Sequence, residues 1–203
     1  KIEKNLKKNT KILMISSTAS IGGGPNHIFL LSEIISPEFE VFYASPKINN
    51  KVFNSKNYIQ ISERKITFTD IIKLVKFINK NSIKIIHCHG KGASLLGRIL
   101  KLFLNIKLVF TFHGIHLECH SLLNKYIYII YENIFGLLDD HKVFVSEGEL
   151  NYARKKNIFI GRKYTVINNA VKSKKIRKVG ITSKDKNELL NSYESFHQKP
   201  YIV

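Results

Sequence analysis

The sequence predicts a doubly wound α/β fold, in which helices cover both faces of a mostly parallel sheet. Short apolar runs alternate along the chain with longer segments whose apolar residues recur every three or four positions. Residues 12–15 are a continuous apolar run, as expected for a strand that is buried on both faces of a parallel sheet. This alternation predicts successive β-α-β units with right-handed crossovers.

The individual elements follow from these two patterns. Strands are expected at residues 11–16, 40–44, 58–61, 83–87, 107–112, 142–145 and 164–167. Helices are expected at residues 25–35, 68–80, 93–104, 122–138 and 147–156. Pro25 suits the first turn of its helix, and Ser36-Pro37 ends that helix.

The pattern divides the 203 residues into four segments. Residues 1–10 are expected to form a flexible basic tail, and residues 11–171 form one Rossmann-like domain. Residues 172–199 resemble a basic linker, and residues 200–203 resemble the first strand of a second domain. The chain is therefore interpreted as a fragment of a longer protein.

Composition restricts the partners and the cell compartment. The net charge of +18 favours an anionic partner, either a polyanion or an anionic membrane surface. A codon bias that enriches the whole chain in Lys, Ile and Asn is an equally good explanation of this charge. The most basic stretch lacks the interleaved aromatic residues of a nucleic-acid module, so no nucleic-acid partner is expected. Two cysteines and no visible signal peptide favour a cytoplasmic protein.

Three predicted strands end in residues suited to phosphate or sugar groups. The first strand leads to Gly22, Gly23 and Gly24, the fourth to His89 and Lys91, and the fifth to His113 and Gly114. Ligands of open parallel sheets bind at the carboxyl ends of strands, where helix N-termini attract anions. The sequence therefore predicts a ligand site at this edge.

Side-chain direction and charge refine that site. Strand alternation is expected to place His87 and His89 on one side of the sheet and Cys88 on the other. Lys91 at a helix start opposes the helix dipole, and a bound phosphate would relieve that repulsion. A plain solvated lysine remains the alternative.

A metal site and a nucleophilic cysteine are two further kinds of site to consider. His113, His116, Cys119 and His120 crowd together, but they lack the paired spacing typical of zinc sites, and no metal is expected. A nucleophilic Cys119 is a further alternative.

The helices expected at 93–104 and 122–138 combine apolar and basic residues as interfacial helices do, although neither is apolar enough to span a bilayer.

In the order and spacing of these motifs, residues 11–171 resemble the N-terminal half of a GT-B glycosyltransferase, particularly glycosyltransferase family 4 enzymes of bacterial surface polysaccharides such as capsule or lipopolysaccharide. The pieces that match are Lys11-Ile-Leu-Met-Ile-Ser, Ile85-Ile-His-Cys-His-Gly-Lys-Gly, Val109-Phe-Thr-Phe-His-Gly, Val143-Phe-Val-Ser-Glu and Val166-Ile-Asn-Asn-Ala. The usual Pro-Asn-Gly turn is here Asn168-Asn169-Ala170.

The resemblance implies a retaining transferase of a hexose or N-acetylhexosamine, with a nucleotide-sugar donor as substrate and no cofactor. Its acceptor would be lipid-linked or an oligosaccharide, on the cytoplasmic face of the inner membrane. The N-terminal domain binds the acceptor and the second domain binds the donor, so this fragment is expected to be inactive alone.

The resemblance also implies roles for individual residues. His113 would hydrogen-bond the donor sugar near the reacting centre. The remaining candidates would bind substrate: Gly22, Gly23, Gly24, His89, Lys91, Arg98, Gly114, Ser146, Glu147 and Asn169. Lys91 and Arg98 in particular would receive an acceptor phosphate.

Two other functions compete. A GT-B nucleotide-sugar epimerase would need carboxylates poised in the cleft, and only Glu118, Glu132 and Glu147 lie near strand ends. A non-catalytic module that binds anionic lipid or nucleic acid would lose its ligand in salt and would be indifferent to mutation of His113.

Overall fold

A seven-stranded parallel sheet forms the centre of the structure. The structure is a computed structural model that describes residues 10–18, 28, 31–32, 35, 39–46, 57–115, 117–118, 120–161 and 163–168. The strands are β1 (Thr10–Ser16), β2 (Phe39–Ser45), β3 (Tyr58–Gln60), β4 (Ile85–His89), β5 (Lys107–Phe112), β6 (His141–Phe144) and β7 (Tyr164–Val166). Their spatial order is β3-β2-β1-β4-β5-β6-β7, and every neighbouring pair is parallel. The predicted doubly wound fold is confirmed.

Helices connect the strands, and most begin at a hydroxyl cap. Their bounds are α1 (Phe68–Asn81), α2 (Lys91–Phe103), α3 (Leu122–Phe135) and α4 (Glu147–Lys155). The Thr67, Ser121 and Ser146 hydroxyls accept hydrogen bonds from backbone N–H groups in the first turns of α1, α3 and α4. Within the predicted helix 25–35, the described residues Ile28, Leu31, Ser32 and Ile35 are helical.

The apolar core lies on both faces of the sheet. The larger cluster joins inward residues such as Leu13, Ile86 and Phe110 to Leu74 of α1 and Leu96 of α2. A smaller cluster on the opposite face includes Ile12, Met14, Ile28 and Val41. Strands that are covered on both sides explain the unbroken apolar runs in the sequence.

Three elements have boundaries that differ from the prediction by two residues or more. β4 runs from Ile85 to His89 rather than over residues 83–87, because its ladder with β1 and β5 continues through the polar His87 and His89. α2 begins at Lys91, two residues earlier than predicted. α3 ends at Phe135, and the rest of the predicted helix forms the 3₁₀ turn Gly136–Leu138.

The expected basic linker and the expected start of a second domain lie outside the described residues. Nearly all of the expected basic tail lies outside them as well. Only Thr10 of the tail is described, as the first residue of β1.

Candidate functional site

The carboxyl edge of the sheet brings three strand ends together at the point where the strand order reverses. β1 lies between β2 and β4, so the chain winds outward in one direction from β1 and in the other from β4. Ser16 at the end of β1 is the register partner of His89 in β4, and His89 is the partner of Thr111 in β5. A crevice beside such a reversal is where open α/β sheets bind ligands.

His87 and His89 lie on the same side of β4, as the strand alternation predicts. Their ring centroids are 4.1 Å apart, and Cys88 between them is fully buried in the opposite core. The Nε2 atom of His87 is 2.7 Å from the hydroxyl of Thr111 on β5. The two imidazoles and the Thr111 hydroxyl therefore form a polar row across β4 and β5.

His113, the residue after β5, adds a third histidine to this row. Its Nε2 atom lies 3.1 Å from the Nδ1 atom of His89, and the two rings stack with centroids 5.4 Å apart. His89 is buried, whereas His113 is half-buried and faces the edge. Of the two histidines, His113 is thus the better placed to meet a ligand.

Two glycines in the left-handed region shape the turns on either side of this pair. Gly90 has φ +82° and Gly114 has φ +107°. Residues with a side chain rarely adopt these angles, so the sharp exits from β4 and β5 require glycine.

Lys91, the first residue of α2, binds the loop that follows β5 and contains His113. Its Nζ atom donates a hydrogen bond of 2.9 Å to the carbonyl of Ile115 and lies 4.3 Å from the centre of the Tyr128 ring. Burial lowers the pKa of Lys91, against the opposing influence of the Glu132 and Glu149 carboxylates. Lys91 is therefore half-buried with a backbone partner rather than solvated, and its assignment to a phosphate stays a prediction.

Arg98 departs most clearly from its expected role. Its side chain is 1% exposed and forms hydrogen bonds with both carboxylate oxygens of Glu132 and of Asp139, at 2.7–3.3 Å. Lys142, also fully buried, lies 3.3 Å from Asp139 and donates to the carbonyl of Phe159 at 2.7 Å. The donors of Arg98 are taken up by these two buried carboxylates, so Arg98 belongs to a buried ion cluster and its position does not support the predicted contact with an acceptor phosphate.

The opposite charges in this cluster alter the pKa values of its two cations. Burial alone would lower the pKa of Arg98, but the hydrogen bonds and charges of Asp139 and Glu132 outweigh it and raise the pKa. Burial lowers the pKa of Lys142, and the same two carboxylates only partly offset that effect. Two cations and two anions thus make a nearly neutral group inside the core.

Ser146 and Glu147 lie at the carboxyl end of β6. The Ser146 hydroxyl caps α4 by accepting a hydrogen bond of 3.1 Å from the N–H of Glu149. Glu147 is exposed in the first turn of that helix. Their assignment to substrate stays a prediction, as does that of Gly22, Gly23, Gly24 and Asn169, which lie outside the described residues.

Metal and thiol chemistry find little support among the residues described. No group of three or more His, Cys, Asp or Glu side chains there could hold a metal ion, and the predicted cluster is only partly covered, since His116 and Cys119 are not described. Burial raises the pKa of the Cys88 thiol, which keeps that thiol protonated and unreactive.

The sequence profile of Glycosyltransferase Family 4 matches residues 21–175, which is most of the chain. The chain belongs to Glycosyltransferase Family 4. A search of curated protein sequences finds no significant match.

Solved structures share the fold of this family 4 chain at low sequence identity. Anabaena Alr3699/HepE in complex with UDP-glucose has a TM-score of 0.63 at 14% identity, covering 86% of this chain and 51% of that one. A glycosyltransferase from Rickettsia africae ESF-5 has a TM-score of 0.60 at 16% identity, covering 96% and 51%. A putative UDP-N-acetylglucosamine 2-epimerase from Listeria monocytogenes has a TM-score of 0.52 at 12% identity, covering 75% and 44%. The family 4 chain therefore spans about half the length of these proteins.

Two groups of this candidate site were not singled out by sequence reasoning. The Thr111 hydroxyl contacts His87 of β4, and the carbonyl of Ile115 accepts from Lys91 of α2. Thr111 belongs to a motif that the sequence analysis quoted, so its type and position were visible there. The Ile115 carbonyl was not predictable, because every residue has a backbone carbonyl. Within the described part of the chain, no helix is long and apolar enough to cross a membrane.

Proposed function

We propose that this family 4 chain forms the acceptor-side half of a retaining glycosyltransferase, which moves a hexose or N-acetylhexosamine from a nucleotide-sugar donor to a lipid-linked glycan. The observation that carries the proposal is the position of His113, half-exposed at the carboxyl edge where the strand order reverses. The UDP-glucose held by the Anabaena protein supports a nucleotide-sugar donor.

The proposed chemistry is a substitution at the anomeric carbon. The bond from that carbon to the diphosphate oxygen breaks, and the departing nucleoside diphosphate takes the electron pair. The oxygen of an acceptor hydroxyl forms the new bond, and its proton passes to the departing diphosphate. His113 orients the sugar, and preorganised N–H groups and cations stabilise the leaving diphosphate. Most of these donors would come from the second half of the enzyme.

The test compares two histidine variants of the full-length enzyme. Radiolabelled nucleotide sugars are incubated with a membrane-lipid extract, and transfer to lipid is measured. His113→Ala is expected to lower kcat/KM by about 10²-fold, the usual cost of one preorganised donor. His141→Ala is the matched control, because His141 begins β6 at the opposite edge and pairs with Thr165. Equal activity of both variants would remove His113 from the site.

The same assay separates the competing functions. An epimerase would interconvert nucleotide sugars without any acceptor, which chromatography of the donor pool detects. A non-catalytic anion-binding module would bind vesicles or polyanions equally well in the wild type and in His113→Ala, and would lose both at high salt. Nuclear magnetic resonance of the glycoside reports whether the anomeric configuration is retained.

We further propose that the outward face of α3 docks on an anionic lipid bilayer. Six side chains of this face are 55–72% exposed: Leu122, Leu123, Tyr126, Ile127, Ile130 and Ile134. Positions 123, 127, 130 and 134 keep helical spacing, so they form one apolar stripe. Such a contiguous patch marks an interaction surface. The net charge of +18 favours anionic lipid as the occupant.

Vesicle sedimentation tests the docking. The wild-type chain is expected to sediment with phosphatidylglycerol-containing vesicles more than with pure phosphatidylcholine, and Ile130→Asp is expected to abolish most of that binding. Phe68→Asp is the control, because Phe68 is equally apolar and 78% exposed but lies on α1. Equal loss in both variants would reject the α3 face. A dimer in light scattering that Ile130→Asp converts to monomer would assign the face to a second copy instead.

A further inference from the structure

The segment His89-Gly90-Lys91 touches the segment 111–115 at three points. The His89 ring meets His113 at 3.1 Å, the N–H of Gly90 donates to the carbonyl of Thr111 at 3.1 Å, and Lys91 donates to the carbonyl of Ile115 at 2.9 Å. Along the chain, these contacts are made two residues before His113, at His113 itself and two residues after it. We propose that His89 and Lys91 are positioning residues for His113: His89 sets the orientation and tautomer of its ring, and Lys91 sets the path of its loop.

The His89 contact restricts where the His113 proton can be. A hydrogen bond between two imidazole nitrogens needs the proton on one of them and a lone pair on the other. While Nδ1 of His89 binds Nε2 of His113, the two rings cannot both be doubly protonated, and the tautomer of one sets that of the other. The buried position of His89 between His87 and His113 keeps its ring from turning away.

The Lys91 contact acts on the backbone. An ammonium at the start of α2 opposes the helix dipole, yet it lies over the Tyr128 ring and binds the Ile115 carbonyl. Ile115 itself is buried, so this carbonyl is a fixed point behind the Gly114 turn. The loop after β5 is thus held from α2 and not only from its own strand.

This proposal rests on the proposed function, because His113 is the residue assigned there to the donor sugar. A sugar hydroxyl donates to a bare ring nitrogen and accepts from a protonated one, so the tautomer of His113 decides which of these two bonds it forms. Positioning of this kind raises the rate by removing orientations that cannot react.

The test reads the His113 ring directly and needs neither donor nor acceptor. Long-range ¹H–¹⁵N spectra of the ¹⁵N-labelled chain report which ring nitrogen carries the proton. Wild type is expected to show one dominant His113 tautomer and a ¹⁵N–¹⁵N coupling to His89 across the hydrogen bond. His89→Ala should abolish the coupling and give exchange-averaged ring signals, whereas His89→Gln, which can still hydrogen-bond, should retain part of the tautomer preference.

Lys91 is tested in the same spectra. Lys91→Met is expected to shift the amide signals of Gly114 and Ile115 and to broaden His113, and Lys91→Arg should restore most of the wild-type pattern. His141→Ala is the control that should leave the His113 signals unchanged.

Two results would overturn the proposal: a wild-type His113 that already exchanges between tautomers, or His113 signals unchanged by both His89 variants and by Lys91→Met. If His89→Ala does not fold, His89→Gln decides the His89 part by itself. A positive spectrum with an inactive full-length enzyme would reject the proposed function and leave the positioning intact.

Discussion

The guanidinium of Arg98 and the carboxylate of Glu132 form a two-pronged ion pair inside the core. Nη2 lies 2.8 Å from Oε2 and Nη1 lies 3.3 Å from Oε1, and both side chains are 1% exposed or less. The pair joins α2 to α3 on the face opposite the histidine row. A bound phosphate at Arg98 would have to displace Glu132 and Asp139.

Breaking this pair is expected to cost more than breaking an exposed one. Glu132→Gln leaves an excess cation beside Asp139, and removing one partner of a buried pair typically costs about 3–5 kcal/mol of unfolding free energy. Glu40→Gln, which breaks the partly exposed pair with Lys11 at 3.5 Å, should cost no more than about 1 kcal/mol. Urea unfolding of both variants measures the difference, and similar midpoints would contradict a structural role for the cluster.

Asp70 is expected to make stability depend on pH in the acid range. Burial would raise the pKa of Asp70, but hydrogen bonds from Thr67 and Ser62 outweigh it and lower the pKa below its ordinary value. The folded chain therefore binds the Asp70 proton less readily than the unfolded chain does. The resulting stabilisation is complete above the unfolded pKa of about 3.9 and is lost as the pH falls through the lower, folded pKa.

The Asp70→Asn variant exposes this dependence. Its deficit in unfolding free energy relative to wild type should be largest at pH 7 and should shrink steadily below about pH 4. Urea unfolding at neutral and acid pH measures it. A deficit that is constant or grows on acidification would show that the ionised carboxylate is not the stabilising form.

Cys88 is expected to be chemically silent in the folded chain. Its side chain is fully buried, and burial raises the pKa of its thiol, so almost no thiolate forms at neutral pH. In a Cys119→Ser variant Cys88 is the one remaining cysteine. A colorimetric disulfide reagent should then release no chromophore in native buffer and one equivalent in urea. Rapid reaction of the native variant would place Cys88 at an accessible surface.

Gly97 is expected to tolerate no side chain where α2 meets the sheet. A Cβ atom there would lie 2.3 Å from Sγ of Cys88 and 2.9 Å from Cδ1 of Leu108. Gly97→Ala should therefore cost about 1–3 kcal/mol, as overpacking of a core usually does. Adding Cys88→Ala removes the sulfur and should recover part of that loss. Urea unfolding of the four members of this double-mutant cycle would reject the steric explanation if the two effects simply add.

Local patterns were sufficient for most of the secondary structure. The run 107–112 was predicted with the bounds that β5 has, and the shared side of His87 and His89 followed from strand alternation. The end of β4 was misplaced because hydrophobicity stops at Ile86, whereas the ladder with β1 and β5 continues to His89. A strand end is set by its neighbours, which a local pattern does not contain.

The amino-acid sequence by itself determined the fold class, the order of the elements and the edge at which histidines and glycines gather, because apolar periodicity and turn chemistry act over a few neighbouring residues. Only the tertiary structure decided which groups Arg98 and Lys91 contact and that α3 exposes an apolar face. The partners of Arg98 lie 34 and 41 residues away, and that of Lys91 lies 24 residues away. A lysine or arginine looks the same in a sequence whether it binds a ligand or a buried carboxylate. Which of the two it binds depends on residues that come close only when the chain has folded.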